Sequence, residues 1–192
     1  MWRSATSSER GRGRAALALP LLLLFFAAGP AEARVLLPVD EALALAFPGA
    51  AIERRTVYLT AAERTRAEQL AGGRLASGVA RPYVATGREG LAGTAYLDTH
   101  RVRTLPQTVM VVLDPSGSVR RVEVLSFDEP PDYLPREEWY RQFDGRTGDA
   151  PLAPGRDLRG ITGATLTARS TAAAVKRVLA LHAVVTERGG AP

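Results

Sequence analysis

The chain predicts an α+β fold, an antiparallel β-sheet meander flanked by helices. Three stretches carry that expectation. Gly93 to Arg103 alternates, with Ala95, Leu97 and Thr99 directed one way and Tyr96, Asp98 and His100 the other, as a strand requires. Thr108 to Leu113 (TVMVVL) and Val119 to Phe127 flank Asp114-Pro115-Ser116-Gly117, a tight-turn sequence with proline at its second position, and read as a hairpin. Leu166 to Thr186 has the helical period: Ala168, Thr171, Ala172, Val175, Val178, Leu179, His182 and Val185 share one face, with Arg169, Ala173, Lys176 and Arg177 opposite.

The other elements follow in order. Asp40 is placed to cap a short helix whose apolar side is Ala42, Leu43, Leu45 and Ala46, and Pro48-Gly49 stops it. Ile52 to Leu59 reads as a strand. Thr60-Ala61-Ala62-Glu63 is a capping box, so a second helix starts there and ends at Gly72-Gly73. A short strand is expected at Tyr83 to Thr86. Beyond the hairpin, Glu129 to Pro135 is a proline-rich excursion, Arg136 to Asp144 (REEWYRQFD) a short helix, and residues 145–160 a loop rich in glycine, proline and charge.

Composition narrows the chemistry. The 192 residues contain no cysteine and two histidines, His100 and His182. Thiolate zinc sites, iron–sulfur clusters, attached c-type haem, cysteine nucleophiles and disulfide scaffolds are excluded, and so is a multi-histidine metal centre. Of the 25 basic residues, Lys176 is the sole lysine, and the formal net charge is +5. Arg3, Arg10, Arg12 and Arg14 precede the apolar run Ala15 to Ala28, followed by Ala31-Glu32-Ala33, the pattern of an export signal cleaved after Ala33. An uncleaved amino-terminal anchor is the alternative. Either way the chain is expected to be exported, to the periplasm or the outer face of the cytoplasmic membrane. Without residues 1–33 the balance is 21 basic against 18 acidic, with no basic stripe interleaved with aromatics, so no nucleic-acid partner is expected.

One segment concentrates chemistry. Gly160-Ile161-Thr162-Gly163-Ala164-Thr165-Leu166-Thr167 opens the last helix with a bare backbone and three hydroxyls. Free N–H groups and the helix dipole at such a position favour a phosphate, and small side chains let it approach. Ordinary threonine capping, with glycine serving the preceding turn, is the structural alternative.

The hexamer Thr162-Gly163-Ala164-Thr165-Leu166-Thr167 resembles the signature of the FMN-binding domain family found in the C and G subunits of sodium-translocating and Rnf-type respiratory complexes. Glu129-Pro130, Trp139, Gln142-Phe143 and Gly145 are similar to a second family segment, and the hairpin has the family's order. The resemblance spans roughly residues 90 to 182. It implies an FMN-binding-domain-like fold and FMN as cofactor, with Thr162, Gly163, Ala164, Thr165, Leu166 and Thr167 as the phosphate loop and Glu129 near the flavin. It also implies Thr165 as the acceptor of a covalent phosphoester, made by a flavin transferase (an FAD:protein FMN transferase), and membrane or periplasmic redox proteins as partners. Two positions depart from the family: Arg159 stands six residues before Thr165 where the transferase pattern has aspartate, and Glu129 is followed directly by Pro130 and Pro131.

The expected organisation is an export segment over 1–33, a helix and strand region over 34–88 packing on the domain, an FMN-binding domain over 89–186 and a flexible tail over 187–192. The leading function is an exported electron-transfer flavoprotein, a carrier domain more than a stand-alone enzyme. The alternatives are an FMN-dependent oxidoreductase acting on a small molecule and a flavin-free envelope binding module. A hydrolase triad of Asp98, His100 and Ser126 lacks a nucleophile elbow. His182 reads as a packing histidine, and Trp139, Tyr140 and Phe143 as core.

Overall fold

The computed structural model describes residues 35–188. The expected export segment lies outside them. The elements run α1 Val39–Ala46, β1 Ala51–Arg54, β2 Val57–Tyr58, α2 Ala61–Ala71, β3 Val79–Ala80, β4 Tyr83–Gly87, β5 Gly90–Arg101, β6 Pro106–Leu113, β7 Val119–Phe127, α3 Glu137–Tyr140 and α4 Thr165–Thr186, with 3₁₀ turns at Pro131–Tyr133 and Arg141–Phe143. Five strands form one antiparallel sheet in the order β1-β4-β5-β6-β7, and β2 and β3 form a separate ribbon. The α+β expectation describes this architecture. The sheet crosses the expected division at residues 88 and 89, because β1 and β4 are built into it.

Strand β6 explains the layering. It is an interior strand, and from Val109 to Leu113 it is buried on both faces, so that stretch is apolar instead of alternating. Val109, Val111 and Leu113 meet Ala168, Ala172, Val175, Val178 and Leu179 of α4, together with Trp139 and Phe143. Met110 and Val112 meet Leu43, Ala46 and Phe47 at and just beyond α1, on the other face. Burying a valine or leucine in this way contributes about 1.5–3 kcal/mol.

Helix α4 has a second buried side that its main period conceals. Ala180 and Val184 are buried as well, and Val184 packs with Ala67 and Leu75 beside α2. Small residues on both helices allow this approach. Ion pairs close the same junction: Arg66 with Glu187 at 2.8 Å, and Arg188 with Glu63. Of the residues expected as a tail, Glu187 and Arg188 are described, and both pair with α2. Hydrogen bonds from Arg188 and from the Thr60 backbone hold the Glu63 carboxyl down to about 2.

Other boundaries shift for local reasons. Helix α1 is preceded by Pro38 with no side-chain cap, and Asp40 sits inside its first turn, where a negative charge suits the helix dipole. Leu45 is exposed, so the apolar side of α1 is narrower than expected. The stretch 52–59 divides between β1 and β2, which belong to different sheets. The α2 capping box forms as expected, with Thr60 N–H donating to Glu63 Oε2 at 2.7 Å, and Gly72 ends the helix in the left-handed conformation at φ +67°.

Gly93 carries a packing constraint between β5 and β6. Its φ is +146°, and a Cβ there would lie 2.4 Å from the carbonyl oxygen of Leu113 and 2.9 Å from the Phe47 ring. Gly93→Ala is expected to destabilise the fold by about 3 kcal/mol. Urea denaturation of the variant beside wild type measures it.

Candidate functional site

The loop entering α4 is anchored before it is bare. Trp139, buried in the core, donates its indole N–H to the carbonyl of Arg159 at 2.7 Å, and the Arg159 N–H donates to Gln142 Oε1 at 2.6 Å. Ile161 packs against the main core. Trp139, Tyr140 and Phe143 thus serve as core, in edge-to-face contacts, and also as the loop's foundation. Gly163 then takes φ +84°, with nothing within 4 Å of the position a Cβ would occupy, which leaves open space above the backbone.

The N-cap of α4 is Ala164, and no side chain caps it. The first helical hydrogen bond of the backbone runs from Ala168 N–H to Ala164 C=O at 2.9 Å. The N–H groups of Thr165, Leu166 and Thr167 therefore have no intrahelical acceptor. None of the three threonines supplies one. Thr165 Oγ1 donates to Ile161 C=O at 3.2 Å and Thr167 Oγ1 to Tyr133 C=O at 2.7 Å, while Thr162 and Thr165 are exposed. This disposes of ordinary threonine capping and leaves an uncapped helix end lined by small residues, suited to an anion. Leu166, 47% exposed, stands beside it.

Glu129 lies in the adjoining structure, and its carboxylate is already engaged. Oε1 accepts N–H bonds from Arg103 at 3.1 Å, Thr104 at 2.7 Å and Leu105 at 2.9 Å, and the Thr104 hydroxyl at 3.3 Å. The N–H groups of Leu105 and Thr104 foremost hold its carboxyl below the ordinary glutamate value. Glu129 thereby fixes the turn between β5 and β6. Tyr133, four residues on, joins that turn to α4: the Arg103 guanidinium lies 4.9 Å over its ring, and its carbonyl receives the Thr167 hydroxyl. The two stretches singled out in the sequence, around Glu129 and around Thr165, are thus linked through Tyr133. Sequence reasoning missed Tyr133 and Arg103, because their roles depend on a backbone carbonyl and on a cation–π contact that no local pattern encodes.

The hydrolase alternative fails on strand geometry. Thr99, Thr108 and Ser126 are directly opposed across β5, β6 and β7 and share one face, with Thr99 and Thr108 hydroxyls 2.9 Å apart. Asp98 and His100 point to the opposite face. There Asp98 bonds His100 Nδ1 at 2.9 Å and takes both a 2.9 Å and a 2.7 Å bond from Arg177 of α4. Burial works to raise the Asp98 carboxyl, but hydrogen bonds from His100 and Arg177 outweigh it and hold it below its ordinary value. His182 is a packing histidine: it meets the Tyr96 ring edge-on, Nδ1 is 3.1 Å from the tyrosine hydroxyl, and burial keeps its pKa low.

Comparison with protein-family models gives a match. Residues 105–180 match the family model of the FMN-binding domain, which indicates FMN as the cofactor. The matched stretch takes in β6, β7, Glu129, Tyr133, the 162–167 loop and most of α4. No curated protein matches the chain.

The Glu129 clamp has a pH signature. A carboxyl whose folded pKa is lowered stabilises the turn above its unfolded value, about 4.3, and that contribution is lost as pH falls through the lower folded value. Glu129→Gln is expected to speed amide exchange at Arg103, Thr104 and Leu105 at pH 7 and to remove the acid-dependent part of their protection. Hydrogen exchange followed by NMR from pH 7 to pH 3 measures both.

Proposed function

With an FMN-binding domain over residues 105–180 as the premise, we propose that this protein is an exported electron-transfer flavoprotein that holds FMN by its phosphate at residues 162–167 and carries it as a phosphoester on Thr165. The observation that supports the phosphate site is the uncapped α4 end: three N–H groups with no intrahelical acceptor, beside a glycine at φ +84° with open space above it and two exposed threonines. These residues fit a phosphate dianion by charge, by donor number and by room.

FMN, when bound, supplies one- and two-electron chemistry that no side chain of a cysteine-free chain offers. The chain's own residues would hold and orient it. The N–H groups of Thr165, Leu166 and Thr167 would donate to the phosphate oxygens, and the α4 dipole would favour their charge. Thr165 Oγ1 is an exposed hydroxyl one residue past the cap; transfer of FMN from FAD would form its O–P bond, break the FAD pyrophosphate with release of AMP, and replace the hydroxyl proton and its bond to Ile161 C=O. Thr167 is excluded from that role, being buried and committed to Tyr133. Arg159 contributes a cation at the loop's entrance while its backbone is fixed by Trp139 and Gln142.

In this reading the segment over 1–33 directs export, a flavin transferase outside the cytoplasm supplies the ester, and membrane or periplasmic redox proteins exchange electrons with the bound flavin. Arg159, where the transferase pattern has aspartate, makes attachment the sharpest point to test.

Co-expression with a flavin transferase is expected to yield a yellow protein whose 162–167 peptide is heavier by one FMN, with flavin fluorescence surviving denaturing electrophoresis. Thr165→Ala is expected to lose all covalent flavin while keeping reversible FMN binding through the backbone. Colourless, unmodified wild-type protein under these conditions, with no affinity for added FMN, overturns the proposal.

A further inference from the structure

We infer that the groove between α4 and the 151–157 loop is a docking site for an extended, acidic segment of a partner protein. The inference concerns a partner and stands apart from the FMN reading above.

Shape narrows the occupant first. The groove has a volume of about 360 Å³, with Ala172 and Ala173 of α4 as its floor and Leu152 and Pro154 as the facing wall. That is the low end of the range for a ligand cleft, too small to seat a helix about 10–12 Å across and suited to a few side chains of an extended chain. The wall is preformed. Ala153 N–H donates to Asp157 Oδ2 at 2.9 Å, Gly155 N–H donates to Leu158 C=O at 2.7 Å, and Leu152 and Leu158 are buried. A folded wall lowers the ordering cost of binding.

Charge then selects the partner. Arg156, Arg169 and Lys176 line the groove with a single carboxylate, Asp157. That carboxylate is already engaged, by Ala153 N–H and by Arg156 at 3.5 Å. Arg169 and Lys176 make no hydrogen bond or ion pair among the described residues. Arginines on α2 and next to α3 are paired instead: Arg64 with Glu68, Arg66 with Glu187 and Arg141 with Glu137. Two uncommitted cations beside an apolar floor are complementary to carboxylates that flank apolar side chains, and such charges speed encounter and reject basic partners.

Spacing sets the form of the segment. Arg169 and Lys176 are seven residues apart, on one face of α4, with an axial separation of ~10.5 Å. In a polyproline II chain, which rises about 3.1 Å per residue with three residues to the turn, side chains three apart point the same way and lie ~9.3 Å apart. An acidic residue at every third position therefore meets both cations, and the residues between lie over Ala172 and Ala173.

The test uses the full chain with a synthetic peptide of Glu-Pro-Leu repeats, and a Gln-Pro-Leu peptide as the uncharged control. Affinity is read by titration calorimetry at low and at physiological salt, and contact by carbodiimide coupling, because Lys176 is the sole lysine of the chain. The acidic peptide is expected to bind, to weaken as salt rises and to couple at Lys176. Arg169→Gln and Lys176→Gln are each expected to weaken binding about threefold, whereas Arg121→Gln, outside the groove, leaves it unchanged. Absence of binding, equal binding of the uncharged peptide, or an affinity untouched by Arg169→Gln and Lys176→Gln overturns the proposal. Binding of phosphatidylglycerol vesicles in place of the peptide assigns the cations to a membrane surface, and self-association that Lys176→Gln abolishes assigns the groove to a second copy; either result also overturns it.

Discussion

A single 22-residue helix, α4, is held on two sides at once: by the sheet through Ala168, Ala172, Val175, Val178 and Leu179, and by the α2 side through Val184, with Leu181 beside it. That double burial fixes the helix axis, and everything at its amino terminus inherits the fixed position. Interiors packed at crystal-like density do not deform continuously, so a helix clamped along its length holds its first turn as a rigid body. The loop before it has no such freedom to choose where it ends. It is drawn taut between Leu158 in the core and the Trp139 and Gln142 bonds to Arg159, and it delivers Gly163 and Ala164 to the helix end without recruiting a cap.

The same clamp explains the arrangement of charge. Arg177 leaves the polar side of α4 and bends to Asp98 on β5, where its fork meets both carboxylate oxygens. A lysine would supply the charge but not the paired geometry. Asp98 in turn fixes His100 by Nδ1. The result is a polar brace between helix and sheet with no catalytic geometry, since the only strand serine considered with it faces the other way. Exposed pairs such as Arg141 with Glu137 have little effect on stability beside it.

Much of this was legible in the chain, and the reasons differ by element. The hairpin, the capping box of α2 and the main face of α4 are local: turn chemistry, a four-residue reciprocal cap and a 3.6-residue period declare themselves within a window. The helix entry stood out as a candidate phosphate site because its composition is unusual for a cap, and the structure leaves that end without a side-chain cap. Nonlocal facts were not. The second face of α4 rests on Val184 and Leu181, too few positions to register as a period, and α2 shows a charged sequence whose buried residues are Ala67 and Ala71. Asp40 suggested a cap, but Pro38 precedes the helix and places the acid one turn position inside. Glu129 was identified as important from its surroundings, yet its engagement by three amides 24 to 26 residues upstream belongs to the fold.

The uncapped start of α4 also has a thermodynamic meaning. Capping side chains normally satisfy such donors at a gain of about 1 kcal/mol. An anion bound there, as proposed, would take that role and link occupancy to folding: a ligand that engages the native helix end and has no counterpart in the unfolded chain stabilises the native state by mass action. Because that helix is the clamped centre of the molecule, the added stability is shared by the sheet and by α2. In that reading the empty protein would be the less durable form.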